Sequence, residues 1–141
     1  MKDSWIWLLF GVVALVTIGG GVALTQSGFP QYVLDFSAAI EFAEGFNVPG
    51  SKPQRQNNPG DISGVGGILS FPTLQDGFNA LYNQVLMMFN NTSTHYNSGM
   101  SIAQIGSIYA GGDPNWGINV ASYLGVDPTT TLDQLRSTYS V

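Results

Sequence analysis

The sequence contains no cysteine and only one histidine, His95. Without a thiol, a Cys-His peptidase is excluded. One histidine cannot supply the two-histidine set of most zinc peptidases, and no G-x-S-x-G motif accompanies it to suggest a serine triad. We therefore expect His95 to be exposed in its polar Thr-His-Tyr setting, and we expect the chain to use neither a metal ion nor a cofactor.

Basic residues are also scarce. The chain has four Lys and Arg residues against nine Asp and Glu residues, which gives a net charge of −5. Nucleic-acid binding needs clustered Lys and Arg to neutralise phosphates, so we expect no nucleic-acid partner. Uncharged ligands recognised through hydrogen bonds fit this composition better.

Charge is absent from residues 5–24, WIWLLFGVVALVTIGGGVAL. As a helix this run would be roughly 30 Å long, which matches the hydrocarbon core of a bilayer. We predict a transmembrane anchor in residues 1–24, contacting lipid through residues 5–24, and a linker in residues 25–30. A cleaved signal peptide is the alternative, although the run is long for one and lacks a good cleavage site. Lys2, by the positive-inside rule, favours a cytoplasmic N-terminus and places residues 31–141 across the membrane.

Residues 31–141 are long enough to form one small domain. Apolar residues recur there with helical spacing, which predicts a mainly α fold with four or five helices. The apolar stripes are Val33, Phe36, Ile40 and Ala43; Phe78, Leu81, Tyr82, Val85 and Met88 or Phe89; Ile102, Ile105 and Tyr109; and Val120, Tyr123 and Leu124, ending at Gly125. A last turn is predicted at Leu132–Leu135 with Thr131 or Thr130 as its cap, and a small hairpin within residues 62–71.

Two glutamates lie near the end of the first predicted helix. At 100° per residue Glu44 falls at the border of the apolar stripe, whereas Glu41 lies farther round, toward water. Partial desolvation would raise the pKa of Glu44, as a general acid working near neutral pH requires. Taken alone, the helix favours Glu44 as a solvated surface residue, because most glutamates are solvated.

Polar and aromatic residues elsewhere suit a sugar ligand. The turn Asn57-Asn58-Pro59-Gly60-Asp61 offers amides and a carboxylate for hydroxyl or N-acetyl groups. Tyr109 with Asn115 and Trp116 offers aromatic faces and an amide beside small residues. We therefore predict substrate binding by Asn57, Asn58, Asp61, Tyr109, Asn115 and Trp116.

In this order, these segments resemble a known superfamily. Glu44-Gly45-Phe46-Asn47 is similar to the E-S-G-F-N segment that carries the catalytic acid of soluble lytic transglycosylases and goose-type lysozymes, and residues 109–112 resemble their A-Y-N-A-G tract. The pattern EG…PGS.P.R.NNPGD, matched by residues 44–61, resembles small phage and prophage lytic proteins more closely. The resemblance covers residues 36–132. Gly45 and Gly111 depart from the Ser and Asn of the larger enzymes, whose G-L-M-Q tract has no clear equivalent here.

The resemblance implies a lysozyme-like α (α+β) domain in residues 31–141 and a peptidoglycan lytic transglycosylase with Glu44 as its acid. Cleavage between N-acetylmuramic acid and N-acetylglucosamine would leave a 1,6-anhydro product. A muramidase hydrolase, with Asp61 or Asp113 as second carboxylate, stays open.

The expected partner is the glycan strand of peptidoglycan. The expected location is a virion membrane, where other virion proteins could be neighbours and the enzyme would help penetrate the host wall; the bacterial inner membrane is the alternative. The alternative class is a non-catalytic membrane scaffold with a lysozyme-like domain.

Overall fold

A computed structural model describes residues 5–8, 13–18, 21–26 and 28–139. The chain divides into two compact units, Met1–Pro30 and Gln31–Val141.

In the first unit, three strands form an antiparallel sheet in the order β1-β2-β3. They are β1 (Trp5–Leu8), β2 (Val13–Ile18) and β3 (Gly21–Gln26). This differs from the single helix predicted across residues 5–24, of which residues 9–12 and 19–20 lie outside the described ones. An apolar run does not by itself distinguish helix from strand, and the β-branched Val, Thr and Ile of β2 favour a strand. Among the described residues, no helix has the length and apolar character needed to cross a membrane.

β3 also takes in Thr25 and Gln26, which the sequence assigned to the linker. The remainder of that predicted linker includes residue 27, which lies outside the described residues. Phe29 and Pro30 then lead into the first helix.

The second unit is mainly helical, as predicted. Its helices are α1 (Gln31–Ala43), α2 (Lys52–Arg55), α3 (Leu74–Phe89), α4 (Ile102–Tyr109), α5 (Pro114–Leu124) and α6 (Leu132–Ser137). A two-stranded hairpin, β4 (Ser63–Gly64) and β5 (Gly67–Ile68), lies between α2 and α3. The hairpin and five of these helices match the prediction; the short α2 was not predicted.

Local signals explain where the helices begin and end. Thr73 caps α3, and Ser101 and Thr131 each form a capping box with a glutamine three residues on. Asp113 caps α5, Pro114 occupies its first turn, and the helix ends at Gly125 in the left-handed conformation.

Helix α1 packs against α3 and α5, and α4 packs against α5. The core is formed by aliphatic and aromatic residues of these helices and of α6: Val33, Phe36, Ala39, Ile40, Leu81, Val85, Met88, Phe89, Ile102, Ile105, Trp116, Val120, Leu132 and Leu135. Tyr123 is the exception to the predicted stripes, since its side chain is 52% exposed and lies against Phe42 on the surface.

Candidate active site

The end of α1 positions Glu44. Its backbone N–H donates to the carbonyl of Ile40 at 2.8 Å, and the chain then reverses through Gly45 at φ 73°, where the Phe46 N–H returns to the carbonyl of Glu41. This left-handed turn is the usual glycine stop of a helix. Glycine at residue 45 therefore has a structural reason, because the turn directly after Glu44 is left-handed.

Trp116 holds the Glu44 carboxyl. Its indole Nε1–H donates to Glu44 Oε1 at 2.7 Å, across 72 residues of sequence, and the ring itself is only 4% exposed. The sequence predicted Trp116 as a sugar-stacking residue. Its contacts instead make it the donor that orients the carboxyl.

Close helix packing sets the position of Trp116. A Cβ atom added at Gly106 of α4 would lie 2.9 Å from the Trp116 ring and 3.1 Å from the backbone nitrogen of Gly117. Those distances are shorter than ordinary carbon contacts, so a side chain at residue 106 would push α4 and α5 apart. The glycine thus allows the indole to reach Glu44.

Tyr109 connects the helices with the loop after α2. Its ring stacks on Trp116 with centroids 4.9 Å apart and planes at 26°, and its hydroxyl donates to the carbonyl of Gly60 at 2.5 Å. One face of each ring is therefore occupied by the other. Tyr109 consequently helps to build the wall of the site and also fixes the neighbouring loop.

Asn58 organises that loop from inside. It is fully buried, its Nδ2 donates to the carbonyls of Ile62 and Leu69, and its Oδ1 accepts from the N–H of Ile62. These three bonds fasten the NNPGD turn to the hairpin. Asn58 thus takes a structural position rather than the substrate-facing one that the sequence suggested.

Asp61 follows that turn in the left-handed conformation, at φ 47°. Its Oδ1 is shielded from solvent and accepts no hydrogen bond from any described residue. The carboxyl is also near enough to Glu44 and Tyr109 to interact electrostatically with both. The structure therefore places the Asp61 carboxyl near Glu44, and its contact with a substrate stays a prediction.

Burial and a nearby negative charge favour a protonated Glu44. Partial burial raises the pKa of Glu44 from 4.5 to about 7; the Trp116 hydrogen bond lowers it, and the charge of Asp61 raises it. The same surroundings raise the pKa of the Tyr109 hydroxyl well above its usual value, chiefly through burial. At neutral pH Glu44 is thus poised to give up a proton and to take it back.

A groove of about 740 Å³ lies beside this cluster. Asp61 and Tyr109, which both interact electrostatically with Glu44, belong to its lining, whereas Glu44 itself does not. Its walls come from the hairpin, the exposed side of α3, the loop before α4 and the end of α4, and include Val65, Asn83, Gln84, Met87, Ser93, Thr94, His95, Tyr96 and Ile108. The mixture of amides, hydroxyls and apolar surface suits a neutral polar ligand such as an oligosaccharide.

Two further predicted residues lie outside the cluster around Glu44. Asn57 donates from Nδ2 to the carbonyl of Phe71 at 3.1 Å and so braces the loop. Asn115 is exposed in the first turn of α5, where its backbone N–H donates to Asp113 Oδ1. Asp113, the other carboxylate considered for a hydrolase, is an exposed helix cap.

The prediction that Glu41 faces water is wrong, because its side chain is largely buried. Its Oε1 is buried without a hydrogen-bond partner among the described residues, and burial raises its pKa to about 7. The Glu41 carboxyl is also near enough to Tyr82 of α3 to raise the pKa of that hydroxyl. The helical wheel of α1 missed this because α3 covers the side of α1 on which Glu41 lies.

His95 is exposed, as expected, although it also borders the groove. Within the described part of the chain, no three His, Asp or Glu side chains are grouped to hold a metal ion.

Comparison of this chain with protein-family models, with curated proteins and with solved structures finds no significant match.

Proposed function

We propose that this protein is a peptidoglycan lytic transglycosylase with a lysozyme-like domain and that Glu44 is its catalytic acid and base. The observation that carries the proposal is the Glu44 carboxyl, oriented by Trp116, with a pKa of about 7, beside a groove lined by Asp61 and Tyr109. The resemblance of residues 44–61 to phage lytic proteins gives independent support from sequence.

In the proposed reaction, protonated Glu44 donates its proton to the glycosidic oxygen between N-acetylmuramic acid and N-acetylglucosamine. The C1–O bond breaks, and the sugar on the leaving side departs with that proton as its hydroxyl. The C6 hydroxyl of the muramic residue then attacks C1, and its proton passes to Glu44. The product carries a 1,6-anhydro ring, and Glu44 is protonated again.

A pKa near the working pH suits both halves of this cycle. A carboxyl with a pKa of 4.5 would be ionised at neutral pH and could not act as the acid. A carboxyl with a much higher pKa would be too weak an acid to give up its proton in the first step. Burial raises the pKa of Glu44, and the indole N–H limits that rise by stabilising the carboxylate. Both forms are therefore populated near pH 7.

A muramidase hydrolase is the second candidate, and the position of Asp61 favours it. A hydrolase normally uses two carboxylates about 5 to 9 Å apart, one as acid and the other as nucleophile or base for water. Asp61 interacts electrostatically with Glu44 and lines the same groove. The two reactions are distinguished by the end of the cleaved glycan, which is a 1,6-anhydro ring for the transglycosylase and a reducing sugar for the hydrolase.

The test uses the full chain in a mild detergent, incubated with purified peptidoglycan from several Gram-negative bacteria. Mass spectrometry of the released muropeptides should give 1,6-anhydro ends with the unmodified protein and no release with Glu44→Gln. Muropeptides with reducing ends would instead show that the protein is a hydrolase. No release from any wall by a folded protein would favour the non-catalytic scaffold.

For location, we propose attachment to a membrane that faces peptidoglycan, in a virion or at the bacterial inner membrane. Support comes from the uncharged run of residues 5–24, and tethering would confine the activity to the nearby wall. Extraction of membranes with alkaline carbonate tests this: an inserted protein stays in the pellet, whereas release into the supernatant contradicts insertion.

A further inference from the structure

One buried polar atom beside Glu44 has no partner. Asp61 Oδ1 is shielded from solvent and accepts no hydrogen bond within the described part of the chain. A buried carboxylate oxygen is costly unless a donor satisfies it, so such an atom calls for an explanation. A missing donor beside a groove is consistent with a ligand that supplies one.

The backbone of Asp61 is held in an unfavourable conformation. At φ 47° it occupies the left-handed region, which non-glycine residues seldom adopt. The Asp61 N–H donates to the carbonyl of Asn58 at 3.1 Å, and Asn58 is itself fixed by three side-chain bonds to the hairpin. Strain that the surrounding structure maintains in this way is concentrated at functional sites in proteins.

The position of Asp61 links the groove to the acid. Its residue lines the groove together with Tyr109, and its carboxyl is within electrostatic reach of Glu44. The Tyr109 hydroxyl already donates to the carbonyl of Gly60, so it is not the donor for Asp61 Oδ1. No described donor reaches Asp61 Oδ1, and a ligand bound in the groove that Asp61 lines is one source of such a donor.

We propose that Asp61 binds the glycan directly, with Oδ1 accepting a hydrogen bond from an N–H or O–H group of the sugar next to the bond that Glu44 protonates. An N-acetylated amino sugar offers both kinds of donor. This inference rests on the proposed function and adds to it the atom that anchors the substrate. It also assigns Asp61 to substrate binding rather than to activation of water.

Two substitutions separate these roles while respecting the backbone. Asn tolerates the left-handed conformation, so Asp61→Asn removes the charge and replaces one carboxylate oxygen with an NH2 group but keeps one acceptor oxygen. Glycine adopts the same conformation freely, so Asp61→Gly removes the charge and the acceptor. Asp76→Asn is the matched control, because Asp76 is exposed in the first turn of α3 and does not line the groove.

Binding is measured first, by titration of the full chain with the tetrasaccharide of N-acetylglucosamine. All variants carry Glu44→Gln, which prevents turnover. Asp61→Gly should weaken the Kd about tenfold or more, Asp61→Asn should weaken it less, and Asp76→Asn should leave it unchanged. Equal binding by the parent, Asp61→Gly and Asp61→Asn would overturn the inference while leaving the proposed function intact.

If the Glu44→Gln parent binds neither the tetrasaccharide nor purified glycan strands, the proposed function fails and this inference fails with it. Turnover by the chain with Glu44 present gives the second readout. Asp61→Gly should mainly raise KM for peptidoglycan while the product keeps its anhydro end. A loss of kcat at constant KM, with reducing ends from the unmodified protein, would instead make Asp61 the residue that activates water.

Discussion

The two glutamates near the end of α1 have the same raised pKa, about 7, in different surroundings. Glu44 receives a hydrogen bond from Trp116 and interacts with Asp61 beside the groove. Glu41 has a buried oxygen without a partner and interacts with Tyr82 on the side of α3. A raised pKa alone therefore does not identify a catalytic acid. Glu44 differs from Glu41 in having an orienting donor and in interacting with Asp61 and Tyr109, which line the groove.

The largest expected effect is on activity. Glu44→Gln should reduce muropeptide release on the order of 100- to 10,000-fold, because the amide can neither donate nor recover the proton. Glu41→Gln is the matched control, one helical turn away with the same change in chemistry, and should retain activity within a fewfold. Equal losses in both variants would contradict the distinction between the two residues.

The next effect concerns the packing that places Trp116. Gly106→Ala should destabilise the protein by about 1–3 kcal/mol, since the new methyl group would lie 2.9 Å from the indole. Thermal unfolding followed by near-UV circular dichroism measures the loss. The muropeptide assay, run below the unfolding temperature, should also show reduced release because the donor to Glu44 is displaced. A variant with unchanged stability and activity would show that the site does not depend on this contact.

Glu41 should make stability depend on pH. Its folded pKa of about 7 exceeds the ordinary value of 4.5, so between these pH values the folded protein holds a proton that the unfolded chain releases. The contribution of Glu41 to stability is therefore fully present below about pH 4.5 and is lost as the pH rises to 7. For this partly exposed side chain the loss is on the order of 2 kcal/mol.

Urea unfolding at pH 5 and pH 7.5 tests that linkage. Glu41→Gln should lose part of the decline seen in the unmodified protein, and the remaining decline should shrink further when Glu44→Gln is added. A fall in stability between these pH values that is as large in Glu41→Gln as in the unmodified protein would contradict the burial of Glu41.

The smallest expected effect is a shift of the pH profile. Trp116→Phe keeps an aromatic ring against Tyr109 but removes the N–H that lowers the pKa of Glu44. The pKa of Glu44 should rise, so the alkaline fall in activity should move to higher pH while maximum activity drops. An alkaline limb that moves to lower pH would show that the indole does not stabilise the carboxylate.

Much of the helical unit was predictable because its signals are local. The apolar spacing of α1, α3 and α4, the caps at Ser101 and Thr131 and the stop at Gly125 all follow from residues within a few positions of one another. The same reasoning placed Glu44 correctly at the border of an apolar face.

The remaining features depend on contacts between distant residues. Trp116 reaches Glu44 across 72 residues, and its role as a donor leaves no mark on the local sequence. Asn58 was predicted to face substrate because its turn offers side-chain amides to a sugar, yet its amide is buried and bonded to Ile62 and Leu69. In residues 5–24 hydropathy indicated a helix, whereas the described parts form strands.

The most direct test of the central claim is the pH dependence of muropeptide release by the unmodified protein and by Glu41→Gln. Activity should fall as pH rises, with the same midpoint near pH 7 in both proteins, because the proposed acid is the protonated form of Glu44. A midpoint that disappears or shifts strongly when Glu41 is replaced would assign the titration to Glu41. That result would contradict Glu44 as the catalytic residue.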